Sequence, residues 1–191
     1  MRKLVLKMSM SLDGFVCGPD GEAEWMLRSR GEDSAAWLVE NLQQAGVHVV
    51  GGRTYHAMAR HWPTSPEPVA VPMNDIPKVV FTRQKPADAD LSSYAESWAS
   101  ARFAHGDLAD EIQRLKEQPG KDIFAHGGAG FARSLVRLGL VDEYRLVVHP
   151  VAIGAGKALF GDLPKPVNLD LVSTTAFAAG TMVQVYRPAA G

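Results

Sequence analysis

Three short segments of this sequence carry residue types that bind phosphate groups, and each follows an apolar run. The first is Gly127-Gly128-Ala129-Gly130, which comes after Ile123 to His126 and opens an amphipathic helical pattern. The others are Gly52-Arg53-Thr54 and Thr82-Arg83. Free N–H groups at a helix N-terminus, hydroxyl groups and guanidinium groups all bind phosphate oxygens. The repetition of this arrangement predicts a site for one large anionic ligand.

The glycines of the first segment also allow a simpler interpretation, namely a tight turn between a strand and a helix. Two common phosphate motifs are excluded. The spacing G-x-G-x-x-G fails because Arg133 stands where its third glycine should be. The P-loop pattern fails at Gly156-Lys157, where Val151 replaces the first glycine and Ala158 the Ser or Thr.

The three segments together suit a dinucleotide. Ligands of open parallel sheets bind at the carboxyl ends of the strands, where these segments are expected. Glycines at a helix N-terminus suit a pyrophosphate, and hydroxyl and arginine side chains suit a terminal phosphate. An arginine near the adenosine ribose favours NADP over NAD.

Three residues are candidates for substrate contact or proton transfer. Asp13, within Ser11-Leu12-Asp13-Gly14, is either a proton relay or a turn former. Trp25 lies in a long loop and either stacks on a substrate ring or covers the core. His126 precedes the glycines and is either a substrate contact or a buried residue at a strand end.

The other candidates for chemistry have structural interpretations. Cys17 is the single cysteine, so no internal disulfide is possible, and no partner base marks it as a nucleophile. The remaining histidines lack the paired spacing of metal ligands, so we predict no metal site and interpret them as structural or surface residues. They are His48, His56, His61, His105 and His149.

Composition narrows the class of protein. The chain has 191 residues and is 46% hydrophobic, which suits one domain spanning residues 1–191. Its net charge of −1 predicts no general attraction to nucleic acid or to a membrane surface, so the expected partner is a small-molecule substrate. The N-terminus becomes polar too soon for a signal peptide, and we therefore expect a cytoplasmic protein.

The order of apolar patterns predicts the fold class. Strands and helices alternate through most of the chain, and two strands joined at Ala179-Gly180 end it. This order predicts an α/β fold with a mostly parallel central sheet, helices on both faces and an antiparallel C-terminal edge. Strands are predicted at residues 3–10, 47–50, 78–81, 123–126, 144–151, 169–174 and 181–187.

Three local predictions concern less regular segments. The four prolines between His61 and Asp75 predict an irregular surface segment. Ser97-Trp98-Ala99 is interpreted as a further short strand. The helix after the glycines is expected to direct Phe131, Leu135 and Leu138 inward.

The sequence resembles the dihydrofolate reductase-like superfamily, and within it the reductase domain of the bifunctional riboflavin-biosynthesis deaminase-reductase (the RibD C-terminal domain) and its stand-alone relatives. The resemblance covers nearly the whole chain and is most specific at Gly127 to Leu135, Gly139 to Glu143 and Leu159-Phe160. Ser11 to Gly14 and Glu22 to Trp25 also agree. It implies a dihydrofolate reductase-like fold and an NADPH-dependent reductase, often a homodimer, acting on a pteridine-like or pyrimidine ring.

The resemblance also implies roles for individual residues. It implies that Asp13 and Trp25 lie in the loop near the nicotinamide and substrate. It implies that Gly52, Arg53 and Thr54 contact the phosphates and that Thr82 and Arg83 hold the 2′-phosphate. The pyrophosphate would be held by Gly127, Gly128, Ala129 and Gly130.

The sequence departs from these relatives at two places. Dihydrofolate reductases present a carboxylate from the first helix to the pterin ring, where this chain has Ala35-Ala36-Trp37-Leu38. Riboflavin reductases usually place an acid before the paired glycines, where this chain has His126, and an imidazole binds different groups. The leading function is an NADPH-dependent reductase of a pteridine-like or ribosylaminopyrimidine-like metabolite. The alternatives are an NADP-binding protein without turnover and a reductase of an unrelated small substrate.

Overall fold

The computed structural model describes residues 1–83 and 91–189. One eight-stranded sheet has the order β5-β4-β3-β6-β1-β7-β10-β9, and a separate ribbon pairs β2 with β8. The strands are β1 (Leu4–Ser11), β2 (Phe15–Cys17), β3 (Ala45–Gly51), β4 (Lys78–Phe81), β5 (Arg102–Ala104), β6 (Asp122–His126), β7 (Glu143–His149), β8 (Lys157–Ala158), β9 (Leu169–Ala176) and β10 (Met182–Pro188).

Helices cover both faces of this sheet. Two separate clusters of buried apolar side chains lie on its two sides, one beneath α5 and α6 and the other beneath α1 to α4. The helices are α1 (Glu32–Leu42), α2 (Gly52–His61), α3 (Ala70–Asp75), α4 (Glu96–Ala99), α5 (Leu108–Glu117) and α6 (Ala129–Arg137), with short 3-10 helices at Glu24–Ser29 and Trp62–Thr64.

Strand β1 is central in the sheet, as its pattern predicts. Leu4, Val5 and Leu6 are fully buried because β1 pairs in parallel with β6 on one side and with β7 on the other. The remaining parallel pairs are β3 with β6, β3 with β4 and β4 with β5. Strand β10 runs antiparallel to both β7 and β9. The predicted fold class, with its antiparallel C-terminal edge, is confirmed.

The expectation for residues 61–75 is wrong in part. This segment forms the 3-10 helix at Trp62–Thr64 and then α3, in which Ala70 and Met73 are buried. Pro72 is tolerated because it lies in the first turn of α3, where a backbone N–H has no partner within the helix. Pro63 and Pro72 therefore lie within short helices, and residues 65–69 are the part of the segment that stays irregular.

Two further local predictions are wrong. Ser97-Trp98-Ala99 belongs to α4, and the strand follows at β5; Trp98 is fully buried there and its Nε1–H donates to Asn74 Oδ1 at 2.7 Å. Leu138 is 53% exposed because α6 ends at Arg137, so the helical spacing does not continue to it. The buried face of α6 consists of Ala132, Leu135 and Val136.

Among the described residues, no helix combines the length and apolar character needed to cross a bilayer.

Candidate functional site

Two turn-to-helix junctions lie side by side at the carboxyl end of the sheet. Strands β3 and β6 are parallel neighbours, and each leads directly into a helix, α2 and α6. The junctions touch, because a Cβ atom added at Gly51 would lie 3.1 Å from Phe131 Cβ. The sequence segments Gly52-Arg53-Thr54 and Gly127 to Gly130 are therefore brought together, as the dinucleotide interpretation requires.

The junction before α6 requires glycine. Gly127 and Gly128 have φ angles of +48° and +76°, which residues other than glycine rarely adopt. A Cβ atom at Gly128 would also lie 2.6 Å from Thr54 Oγ1. At Gly130 a Cβ would meet no atom within 4 Å, so the backbone there borders open space.

The third predicted segment lies next to the second. Gly52 and Thr82 are close, since a Cβ atom at Gly52 would lie 3.1 Å from Thr82 Cβ. Thr82 and Arg83 follow β4, the parallel neighbour of β3. Arg83 is exposed, and neither residue lines the cavity described next. The 2′-phosphate role of Thr82 and Arg83 stays a prediction.

A cavity of about 830 Å³ extends from these junctions across the end of the sheet. Its phosphate-binding end is formed by Gly52, Arg53, Thr54 and the segment from Gly127 to Gly130. Its other end is mostly apolar and reaches α1, α2 and α3. That apolar wall consists of Met26, Leu38, Leu42, Met58, Trp62, Val69 and Met73.

The junctions fit the diphosphate of a dinucleotide. The first N–H groups of α2 and α6 have no partners within their helices, and the positive ends of both helix dipoles lie at the same end of the cavity. Arg53 adds a guanidinium that forms no ion pair within the described part of the chain. The glycine cradle, the two helix N-termini and Arg53 are together suited to two adjacent phosphate groups.

The charges along the cavity are all positive. Lys7, Arg53 and Lys157 line it, and no Asp or Glu among the described residues does so. Lys7 lies in the middle of β1, and its ammonium group makes no hydrogen bond or ion pair within residues 1–83 and 91–189. Burial, with a smaller contribution from Arg30, lowers the pKa of Lys7 to about 8. Lys7 is therefore an uncompensated positive group facing the ligand space.

His126 lies at the carboxyl end of β6 and lines the same cavity. It is paired with Lys7 in the register of β6 and β1. Its Nε2 atom lies 2.8 Å from Nδ1 of His48, and His48 Nε2 lies 3.1 Å from the carbonyl oxygen of Pro72. Burial, His48 and Lys7 together lower the pKa of His126 well below its ordinary value, so its ring is neutral.

Asp13 is engaged elsewhere. Its carboxylate accepts hydrogen bonds from Ser11 Oγ at 2.6 Å and from the backbone N–H groups of Ile153 and Gly154. The Ser11 hydrogen bond, followed by that of Gly154, lowers the pKa of this carboxyl. Asp13 is exposed and does not line the cavity. The geometry favours the turn-forming interpretation over the proton relay, because both carboxylate oxygens bind loop backbone.

Trp25 also lies outside the cavity lining. It belongs to the 3-10 helix at Glu24–Ser29, and its ring packs edge-on against His149 with 5.6 Å between centroids. Ser29 Oγ lies 2.7 Å from His149 Nδ1, which fastens this helix to the end of β7. The loop reaches the cavity through Gly21, Ala23 and Met26 instead. Trp25 is half-buried against His149, and its role in stacking on a substrate ring stays a prediction.

Sequence reasoning missed several residues that line the cavity. Lys7 carries the clearest signal, since a lysine in the middle of an otherwise apolar central strand is unusual. His48 was interpreted as structural, and only the fold shows that it contacts His126 across 78 positions of sequence. The apolar wall includes Val69 and Met73, which lie in the segment predicted to be irregular surface.

Comparison with known proteins agrees with this geometry. The family model named RibD C-terminal domain matches residues 2–183. This chain belongs to the RibD C-terminal domain family. Within it, the chain is 31% identical over 186 residues to the uncharacterized protein YyaP of Bacillus subtilis, covering 97% of this chain and 95% of YyaP.

Solved structures support the fold of this RibD C-terminal domain. A pyrimidine reductase-like protein from Corynebacterium diphtheriae is similar with a TM-score of 0.69 and 16% identity, over 100% of this chain and 93% of that one. Dihydrofolate reductase from Enterococcus faecalis, complexed with NADP(H), has a TM-score of 0.64 and 15% identity, over 98% and 97%. The resemblance stated from the sequence is therefore confirmed at the level of family and fold.

Proposed function

We propose that this protein is an NADPH-dependent reductase that delivers hydride to a small pteridine-like or ribosylaminopyrimidine-like ring. The observation that carries the proposal is the division of one cavity into two ends. One end gathers two helix N-termini, the glycine cradle and Arg53, and the other has the apolar wall. Lys7 and His126, register partners on β1 and β6, also line the cavity, and we assign them to the substrate. A cofactor with a diphosphate and a flat ring beside it matches this division.

Family membership supports the reductase class. The RibD C-terminal domain model spans nearly the whole chain, and the structural neighbours are a pyrimidine reductase-like protein and a dihydrofolate reductase complexed with NADP(H). The choice of NADPH over NADH rests on Arg83 and Thr82, at the end of β4, as ligands of a 2′-phosphate.

The protein's own residues have distinct tasks in this proposal. Bound NADPH supplies the hydride, and the segment from Gly127 to Gly130, with Gly52, Arg53 and Thr54, holds its phosphates. Leu38, Leu42 and Met58 keep water from the substrate ring, which protects the transfer. The ammonium group of Lys7 binds a substrate oxygen and stabilises negative charge that develops on it.

The test separates cofactor binding from turnover. Energy transfer from tryptophan to NADPH measures binding, and the loss of NADPH absorbance over a panel of pterins, aminopyrimidines and small carbonyl compounds measures turnover. We expect the wild-type protein to bind NADPH and to reduce at least one ring compound. Binding without turnover of any panel member would favour the NADP-binding protein without catalysis, and absence of NADPH binding would refute the proposal.

Lys7→Met tests the proposed contact between Lys7 and the substrate, and Lys121→Met is its control. Lys121 is exposed, and its ammonium group donates to the carbonyl oxygen of Gln43. Because Lys7 lies at the substrate end, we expect Lys7→Met to keep NADPH affinity within about twofold and to lower kcat/KM at least roughly tenfold. Lys121→Met should change neither. Equal loss of NADPH affinity and turnover in Lys7→Met would contradict the assigned position of Lys7.

A further inference from the structure

A directional chain of hydrogen bonds ends at the cavity. The carbonyl oxygen of Pro72 can only accept, so the nitrogen that contacts it, His48 Nε2, carries a proton. A neutral His48 then has an unprotonated Nδ1, which accepts from His126 Nε2 at 2.8 Å. The carbonyl of one buried residue thereby fixes the tautomers of both rings.

The surroundings of the two rings keep them neutral. His48 is fully buried, and His126 is 6% exposed. The charged groups that face them are Lys7 for His126 and Lys78 for His48, and both are positive. A carboxylate that would stabilise an imidazolium is absent from the described cavity lining. Burial is the main cause that lowers the pKa of His48 to about 4.

The chain leaves one atom of His126 for a ligand. With its proton on Nε2, the neutral ring has a lone pair on Nδ1. This Nδ1 makes no hydrogen bond within residues 1–83 and 91–189, and it is not among the buried polar atoms sealed from solvent. Since His126 lines the cavity, Nδ1 presents a hydrogen-bond acceptor to whatever lies there.

We infer that His126 determines specificity by presenting only a hydrogen-bond acceptor to the ligand, that His48 is its positioning residue, and that the substrate presents an N–H or O–H donor to His126 Nδ1. This inference deepens the proposed function and rests on it for the ligand class. Lys7, the register partner of His126 on β1, supplies a donor next to this acceptor. A donor beside an acceptor matches a cyclic amide, in which an N–H group adjoins a carbonyl oxygen.

Nuclear magnetic resonance of ¹⁵N-histidine-labelled protein tests the tautomers directly. At neutral pH we expect both His48 and His126 to carry their proton on Nε2, with Nδ1 unprotonated. A proton on Nδ1 of His126, or an imidazolium at that pH, would overturn the inference. The result does not depend on any activity, so it is independent of whether the protein is a reductase.

A pair of probes tests the donor. 5,6-Diaminouracil has ring N–H groups, and 5,6-diamino-1,3-dimethyluracil has methyl groups in their place. In the presence of NADP⁺ we expect the first to bind at least tenfold more tightly and to shift the His126 Nδ1 resonance. Equal affinities, or no detectable binding of either probe, would overturn the cyclic-amide assignment. If the preference is found but no ring compound is turned over, only the reductase proposal fails.

Variants separate hydrogen bonding from a steric clash with the methyl groups. His126→Leu removes the acceptor, and we expect the preference for the N–H probe to disappear; a preference that persists would show that shape alone causes it. His126→Gln keeps an acceptor oxygen and should retain part of the preference. His48→Phe keeps a buried ring but leaves the His126 tautomer unfixed, so we expect mixed tautomers and a reduced preference. Unchanged His126 tautomer and preference in His48→Phe would refute its positioning role.

Discussion

In the proposed function, Arg83 supplies the charge that distinguishes the two nicotinamide cofactors, with Thr82 beside it. If its guanidinium binds the 2′-phosphate, Arg83→Ala removes a charge-assisted contact that only NADPH can make. We expect NADPH affinity to fall roughly tenfold to a hundredfold and NADH affinity to stay nearly constant, as charge-assisted hydrogen bonds of about 1.5–3 kcal/mol imply. Fluorescence titration with both cofactors measures the difference.

Arg53 is the matched control, because it is an arginine that lines the phosphate-binding end of the cavity, whereas Arg83 lies outside the cavity lining. Arg53→Ala should weaken NADPH and NADH by similar factors, since both contain the diphosphate. Similar weakening of both cofactors by Arg83→Ala would refute the 2′-phosphate assignment while leaving the diphosphate site in place.

Residues within one segment were predictable, and contacts between distant segments were not. The glycines at Gly127 and Gly128 indicate their turn because few other residues adopt positive φ. The contact between His48 and His126 depends on β3 and β6 becoming neighbours, which no local pattern in either strand specifies. Asp13 shows that residue type alone does not determine a role, because an aspartate suits both a proton relay and a hydrogen-bonded turn.

The turn before α6 is the element that can be tested most sharply. Gly128→Ala places a methyl group where a Cβ would lie 2.6 Å from Thr54 Oγ1, at a φ of +76°. We expect it to displace Thr54 and the junction, and to weaken NADPH at least roughly tenfold. Isothermal titration calorimetry measures this loss.

Gly139→Ala is the control for backbone strain alone. Gly139 has a φ of +64°, but a Cβ there would meet no atom within 4 Å. The variant should lose about 1 kcal/mol of unfolding free energy and keep its NADPH affinity. If Gly128→Ala behaves in the same way as Gly139→Ala, the junction does not cradle the cofactor.

At the level of elements, regular strands and capped helices were predictable. Asp107 caps α5, since its Oδ1 accepts from the N–H groups of Ala109 and Asp110, and aspartate is a preferred residue at this position. The misassigned elements are short ones, α3 with three buried residues and α4 with one, and these few buried side chains decide the conformation. Trp98 is held in α4 by contacts with Asn74 and Tyr55 from other elements, so its own neighbours in sequence carry little information.

The whole molecule buries several neutral histidines, and this predicts how stability depends on pH. Burial lowers the pKa of His48 and of His149 to about 4. Between that value and the ordinary pKa of 6.5, the unfolded chain binds more protons than the folded one, so stability falls as the pH falls through this window. From pH 7 to pH 5, His48 alone accounts for a loss of about 2 kcal/mol.

Urea unfolding at these two pH values measures the loss. Carboxylates contribute little there, because Asp33 and Glu67 have lowered pKa values and lose their stabilisation only at more acidic pH. His48→Phe should flatten the dependence, whereas His105→Phe, at an exposed position, should leave it unchanged. A stability that does not fall between pH 7 and pH 5 would contradict the burial of neutral histidines.

We propose that two copies of this chain form a homodimer, as the family resemblance implies. The outer strand β9 leaves Leu171 57% exposed and Val172 47% exposed, and its outer edge pairs with no strand of the described chain. Light scattering should give about twice the chain mass of 20.6 kDa. The double variant Leu171→Glu and Val172→Glu should be monomeric, while Leu138→Glu, at another exposed leucine, should stay dimeric. A monomeric wild-type protein would refute the proposal.

Three positively charged side chains line the cavity, and among the described residues no acidic side chain does so. This charge distribution predicts which inhibitors bind. An inhibitor whose heterocycle gains affinity by becoming protonated needs an anion opposite it, and here that ring would face Lys7 and the apolar wall. Such compounds should bind this protein weakly, whereas flat rings that bear an acidic or carbonyl oxygen should be the better starting points for ligands.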